Sequence, residues 1–153
     1  MTIELPDLEA TTRLGRRLGG LLFPGAVVGL IGPLGAGKTF LVRAVAEGLG
    51  IADSRGVSSP TFVLIQEYAA RLPIYHFDAY RLRSDAEFFE LGVQEYFEGE
   101  GVCLVEWADK VGSQLPRERL SISLEVVGET RRQATMSASG ERYEQLVCEV
   151  AAH

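Results

Sequence analysis

The chain contains no asparagine. An N-K-x-D guanine-reading motif is therefore absent, which excludes a GTPase that recognises its base in that way. Lysine is nearly missing too: among 15 basic residues only Lys38 and Lys110 are lysines. The two cysteines, Cys103 and Cys148, make no metal-ligand spacing. They read as small apolar residues in a reducing cytoplasm. His76 and His153 are the only histidines, which gives a His-based metal site little support. The most apolar region, residues 18–31, is interrupted by Pro24-Gly25 and falls short of a membrane span. Residues 1–7 carry no basic n-region, so no secretory signal is expected. Positive charge is scarce overall. A net charge of −6 weighs against gripping nucleic acid unaided, because phosphate neutralisation by Lys and Arg dominates such affinity. Arg13, Arg16 and Arg17 share one side of a predicted helix and read as a solvated basic face rather than a binding patch.

What is present is concentrated near residue 35. Gly32-Pro33-Leu34-Gly35-Ala36-Gly37-Lys38-Thr39 is a complete G-x-x-x-x-G-K-[ST] phosphate loop. It follows the apolar run 26–31 and opens a helix-patterned stretch to about residue 49. That order suits the chemistry: successive backbone N–H groups and a helix dipole face an anion. Lys38 would reach the outer phosphates, and the Thr39 hydroxyl would ligate Mg²⁺. An arginine-rich chain that keeps lysine here suits a site needing a slim point charge rather than a planar fork.

The remaining pattern predicts one α/β domain over residues 1–153, with a mixed sheet flanked by helices and a late antiparallel hairpin. Residues 2–5 alternate as a short strand, and Asp7 is an N-cap for a helix over 8–22 that Gly19-Gly20 breaks. Strands are expected over 61–68 and 73–80, and Ser84-x-x-Glu87 is a capping-box signature for a short helix ending near Gly92. Residues 102–105 form a second buried run. Residues 120–126 alternate, turn at 128–130 and return as a hairpin, and 140–152 closes the chain as a helix.

Three further positions carry possible chemistry. Glu106 ends the run 102–105, at the C-terminal edge of a predicted parallel strand, where α/β sheets bind ligands. It is a Walker-B-like carboxylate for Mg²⁺, or the first polar residue of a loop. Asp78 shares a strand face with His76 and Tyr80. It either orients a water or enters the outer Mg²⁺ shell, or it pairs with Arg81 or Arg83. His76 reads as a structural histidine. Ser58-Ser59-Pro60-Thr61-Phe62 is either a switch in which Ser59 or Thr61 senses the γ-phosphate and Mg²⁺, or a rigid proline turn.

Taken together, G-x-L-G-A-G-K-T, S-P-T-F (59–62), Y-H-F-D-x-Y-R-L (75–82), E-L-G (90–92) and L-V-E-W (104–107) resemble the bacterial TsaE (YjeE) family of tRNA threonylcarbamoyladenosine biosynthesis ATPases. The resemblance spans nearly the whole chain in order and implies a P-loop NTPase-like fold. It implies slow ATP hydrolysis in a complex with TsaB and TsaD proteins, which modify the adenosine beside the tRNA anticodon, with tRNA reached mainly through those partners. By position it implies Thr39 and Glu106 as Mg²⁺ ligands, and Lys38 with the loop amides (32–39) as phosphate holders. Asp78 becomes the residue needed for hydrolysis, Trp107 lies beside the nucleotide, and the 59–62 segment becomes a switch. Phe40, Ala108 and Arg131-Arg132 depart from the family pattern, the last leaving open how Arg132 contacts nucleotide. A P-loop small-molecule kinase is the competing reading, although no arginine-dense lid is visible. A nucleotide-binding module without useful turnover is another.

Overall fold

The structure, a computed structural model, describes residues 1–58 and 64–152. The S-P-T-F segment and the expected strand start at Thr61 lie outside the described residues.

Seven strands build one mixed sheet among the described residues: β1 (Thr2–Leu5), β2 (Val27–Ile31), β3 (Ile65–Tyr68), β4 (Ile74–Asp78), β5 (Val102–Glu106), β6 (Arg119–Val126) and β7 (Arg132–Ser139). Their order is β1-β7-β6-β2-β5-β4-β3. The central block β6-β2-β5-β4 is parallel, whereas β3, β7 and β1 each join a neighbour antiparallel. All five residues of β5 are buried, as a parallel strand covered on both faces requires. Residues 119–124 of β6 instead alternate partly exposed and buried, and β6 pairs with β7 as the expected hairpin.

Alternate strand positions feed two cores. Val28, Leu30, Leu104 and Ile122 pack with α1 (Leu8–Leu21), α2 (Lys38–Gly48) and α5 (Glu141–Ala151). Val27, Phe77, Cys103 and Val105 pack with α3 (Asp85–Glu90), α4 (Val93–Phe97) and the kinked 3-10 segment Ala108–Gln114. The site therefore inherits its position from α2. Its N-terminus stands over the C-terminal ends of β2, β5 and β4.

Two local expectations need correction. The first helix does not break at Gly19-Gly20; α1 runs through to Leu21, capped by Asp7 Oδ1 accepting from Ala10 N at 2.8 Å. Gly19 serves its contact with α2, whereas Gly20 faces open space. A Cβ on Gly19 would fall 2.2 Å from Val45 O, and one on Gly48 would fall 2.2 Å from Arg16 O. Helix-interior glycine costs about 1 kcal/mol in propensity, and the close approach of the two backbones outweighs it. The capping box is only half formed. Ser84 Oγ accepts from Glu87 N at 3.4 Å, but Glu87 Oε2 accepts from Arg83 N at 3.1 Å instead of returning to residue 84.

Cys103 is fully buried in β5, and burial pushes its thiol up to about 12, whereas Cys148 is exposed. Because the thiolate is the reactive form, a maleimide should label Cys148 promptly in the native chain and Cys103 only after denaturation. Prompt native labelling of Cys103 would contradict the β5 assignment. No helix among the described residues is long and apolar enough to cross a membrane.

Candidate nucleotide-phosphate site

β2 ends at Ile31 and the chain turns through residues 32–37 before α2 begins. Gly35 and Gly37 take left-handed φ values of 82° and 102°, which l-residues with side chains adopt only under strain. A Cβ at either would meet nothing within 4 Å, so the loop's inner side is open. Gly37 caps α2 with no side-chain hydrogen bond. The first-turn N–H groups thus keep the orientation that binds anions at helix N-termini.

Two cations hold four of the loop carbonyls. Lys38 Nζ donates to Gly32 O at 2.6 Å and to Pro33 O at 2.9 Å. Arg132 Nε donates to Ala36 O at 3.1 Å and its Nη2 to Gly35 O at 3.4 Å. The same guanidinium also spans the hairpin turn through Gly128 O, Glu129 O and Arg131 O. Arg132 is therefore placed as a brace between the β6–β7 hairpin and the phosphate loop. With these carbonyls neutralised by cations, the loop carries a net positive field toward an anion.

Opposite the loop stand two buried carboxylates on neighbouring strands, Asp78 and Glu106, which are register partners of β4 and β5. They are only 5% and 3% exposed. Thr39 Oγ1 lies 3.0 Å from both Glu106 oxygens, and His76 Nε2 lies 2.5 Å from Glu106 Oε2. A carboxylate only accepts, so the imidazole donates there. His76, expected as a structural histidine, is wholly buried and fixes the Glu106 carboxylate. Asp78 Oδ1 accepts from Tyr80 N at 2.9 Å, which ties the carboxylate to the turn after β4.

Lys38 is 5% exposed. Desolvation lowers its pKa, against the opposing pull of Glu106, Asp78 and Asp109. Its ammonium lies 3.9 Å from the centre of the Trp107 ring. Trp107 has a left-handed φ of 59°, a backbone strain of the kind that gathers at ligand sites, and its ring meets Tyr80 at 4.9 Å. Lys110 Nζ donates to Tyr80 O at 2.6 Å and lies over both rings. A cleft of about 380 Å³ opens between the loop, Asp78, Glu106 and this aromatic wall.

Gly35, Gly37, Lys38, Thr39, Asp78, Glu106 and Trp107 thus meet in one cleft, with Leu34 on its rim, 78% exposed. Gly32, Pro33 and Ala36 shape the loop behind it, and Arg132 reaches the loop carbonyls. Sequence reasoning set Tyr80 on the polar face of Asp78 and His76 and passed over Lys110 as part of the wall. A signal existed, because Lys110 is the second of the chain's two lysines.

A glycine loop between a central parallel strand and a helix, facing two buried carboxylates, defines a P-loop-type α/β protein. The family model described as Threonylcarbamoyl adenosine biosynthesis protein TsaE matches residues 5–134. The chain belongs to the TsaE family. The tRNA threonylcarbamoyladenosine biosynthesis protein TsaE of Bacillus subtilis (strain 168) is 47% identical over 146 residues, covering 95% of this chain and 90% of the relative. The protein of the same name from Treponema pallidum (strain Nichols) is 46% identical over 129 residues, 84% of this chain and 94% of its own length. A crystal structure of Bacillus subtilis YdiB superposes with a TM-score of 0.83 at 40% identity, covering all of this chain and 95% of that one.

Proposed function

We propose that the chain is a Mg²⁺-dependent ATPase that works with TsaB and TsaD proteins in threonylcarbamoyladenosine modification of tRNA. The observation that carries the reading is the Thr39 hydroxyl set on buried Glu106 at the mouth of an open phosphate loop. The donor set there is oxygen only, a hydroxyl and a carboxylate, which suits Mg²⁺ held by one or two side chains together with phosphates. Thr39 and Glu106 would hold the ion, with His76 fixing the carboxylate. When bound, Mg²⁺ supplies charge neutralisation on the phosphate oxygens.

The chain's own residues do the rest. The amides of 34–39 and Lys38 bind the phosphates, while Lys38 and Arg132 neutralise the loop carbonyls beside that charge. Asp78 orients a water whose oxygen bonds to the γ-phosphorus as the bridging bond to ADP breaks. Trp107 and Tyr80 wall the cleft beside the nucleotide. ATP rather than GTP fits a chain without an N-K-x-D motif. With a net charge of −6, tRNA is reached mainly through the partners, in the cytoplasm.

Phosphate release by the chain alone, and with TsaB and TsaD proteins added, tests the proposal. Stimulation by the partners is expected. A rate unchanged over a saturating range of both proteins would remove the partner-dependent part.

Trp107 offers a direct binding signal because it is the only tryptophan. Phosphates arriving at the loop would draw the Lys38 ammonium from the indole face, so ATP or ADP should change Trp107 emission. A flat titration, with binding shown by calorimetry, would place Trp107 outside the nucleotide's reach.

A further inference from the structure

A second cleft, about 550 Å³, lies at the far edge of the sheet, between β1, α1 and α5. Its lining includes every residue from Met1 to Leu5, so the strand's edge, and not one face of it, borders the groove. The ladder between β1 and β7 shows which backbone groups face outward. Met1 N donates to Met136 O and Met136 N to Met1 O, which makes that a hydrogen-bonded pair. Antiparallel pairs alternate, so with the register Ile3↔Ala134 and Leu5↔Arg132 these residues bond β7. The N–H and C=O groups of Thr2 and Glu4 then point to the open edge.

Above that edge α1 and α5 supply an apolar lining from Leu14 and Val150, with two guanidinium groups from Arg13 and Arg17. Arg13 makes no hydrogen bond or ion pair among the described residues. Arg17 Nη2 donates to Glu149 O at 2.8 Å, but its buried Nε has no acceptor. Arg16, the third member of this basic face, is engaged elsewhere with Glu47 at 2.9 Å. Among the described residues lining the groove the one side-chain carboxylate, Glu4, accepts from Gln133 Nε2 at 2.7 Å. The site thus offers four outward strand-edge groups, an apolar lining and two cations.

We infer that this edge is a docking site for an extended, acidic segment of a partner protein, which adds as an eighth strand against β1. Backbone groups of Thr2 and Glu4 pair with the segment, and a carboxylate on its α1-facing side meets Arg13 and Arg17. Strand addition of this kind takes affinity from main-chain bonds and selectivity from alternate side chains. A second copy of this chain fits poorly, because β1-to-β1 pairing would bring like guanidinium groups together. An RNA strand is disfavoured by the chain's net charge of −6.

The probe is a short capped peptide in which threonine alternates with glutamate and valine, added to the full chain. Binding is expected to shift and protect the Thr2 and Glu4 amides in NMR and hydrogen exchange. Replacing glutamate by lysine in the peptide should weaken it by about tenfold or more. N-methylation of the peptide's pairing amides should abolish the protection. In the chain, Arg13→Glu should weaken binding similarly. Glu4→Pro should remove it, since that N–H lies outside the β7 ladder, with the melting temperature confirming the fold. Equal binding of the lysine peptide, absence of protection at Thr2 and Glu4 at millimolar peptide, displacement by an oligonucleotide, or dimerisation of the chain through this edge would each overturn the proposal.

Discussion

Replacing Lys38 by alanine is expected to abolish ATP binding while leaving the fold intact. The ammonium is buried, donates to two loop carbonyls and lies over the face of Trp107, with the carboxylates of Glu106, Asp78 and Asp109 acting on it only through space. Burial without a bonded carboxylate is costly, which is why desolvation leads the lowering of its pKa. A phosphate supplies the missing negative charge. Charge-assisted bonds of this type contribute roughly 1.5–3 kcal/mol each, so losing two lowers affinity by on the order of 100-fold or more. Stability should not suffer, because Pro33 O keeps its bond from Ala36 N at 3.1 Å and a desolvated charge disappears. Calorimetric titration with ATP, paired with a melting curve, checks both halves. Near-native affinity in a folded Lys38→Ala chain would remove Lys38 from the phosphate site.

Asp78 should separate binding from chemistry. The Asp78→Ala chain is expected to bind ATP and to lose turnover by about 10²–10⁴-fold, the usual scale for a positioned general base or water-orienting group. Alanine also removes the acceptor for Tyr80 N, which weakens the turn after β4 by about 1 kcal/mol. Asp78→Asn is the cleaner companion: its amide oxygen can still accept from that N–H, and only the charge is lost. Equal loss of turnover in both variants assigns the effect to the carboxylate's charge. Retained turnover in Asp78→Ala, with partners present, would remove Asp78 from the catalytic role.

Much of the central architecture was legible because its signals are local. An apolar run broken by glycines and followed by helical spacing placed β2, the loop and α2. Alternation placed β6, and the turn at 128–130 placed β7 as its hairpin partner. The parallel setting of β5, and with it the position of Glu106 at a strand's C-terminal end, followed from an unbroken buried run. What escaped was set by contacts distant in sequence. Gly19 looks like a helix breaker until α2 is packed against α1. Strand periodicity puts His76 on the face of Asp78, yet cannot show that the ring reaches Glu106 on the next strand. Arg132 was expected at the nucleotide, and the structure sets its guanidinium on Gly35 O and Ala36 O. The wall formed by Tyr80, Trp107 and Lys110 depends on the kinked 3-10 segment after β5, whose pattern carries neither helical nor strand spacing.

The most direct test of the hydrolytic reading is ATP turnover in heavy-oxygen water, by the chain with TsaB and TsaD proteins, with and without Mg²⁺. Label from water should enter inorganic phosphate and not ADP, and only when Mg²⁺ is present. Transfer of the phosphoryl group to an organic acceptor, or unlabelled phosphate, would mean that water is not the nucleophile in this cleft.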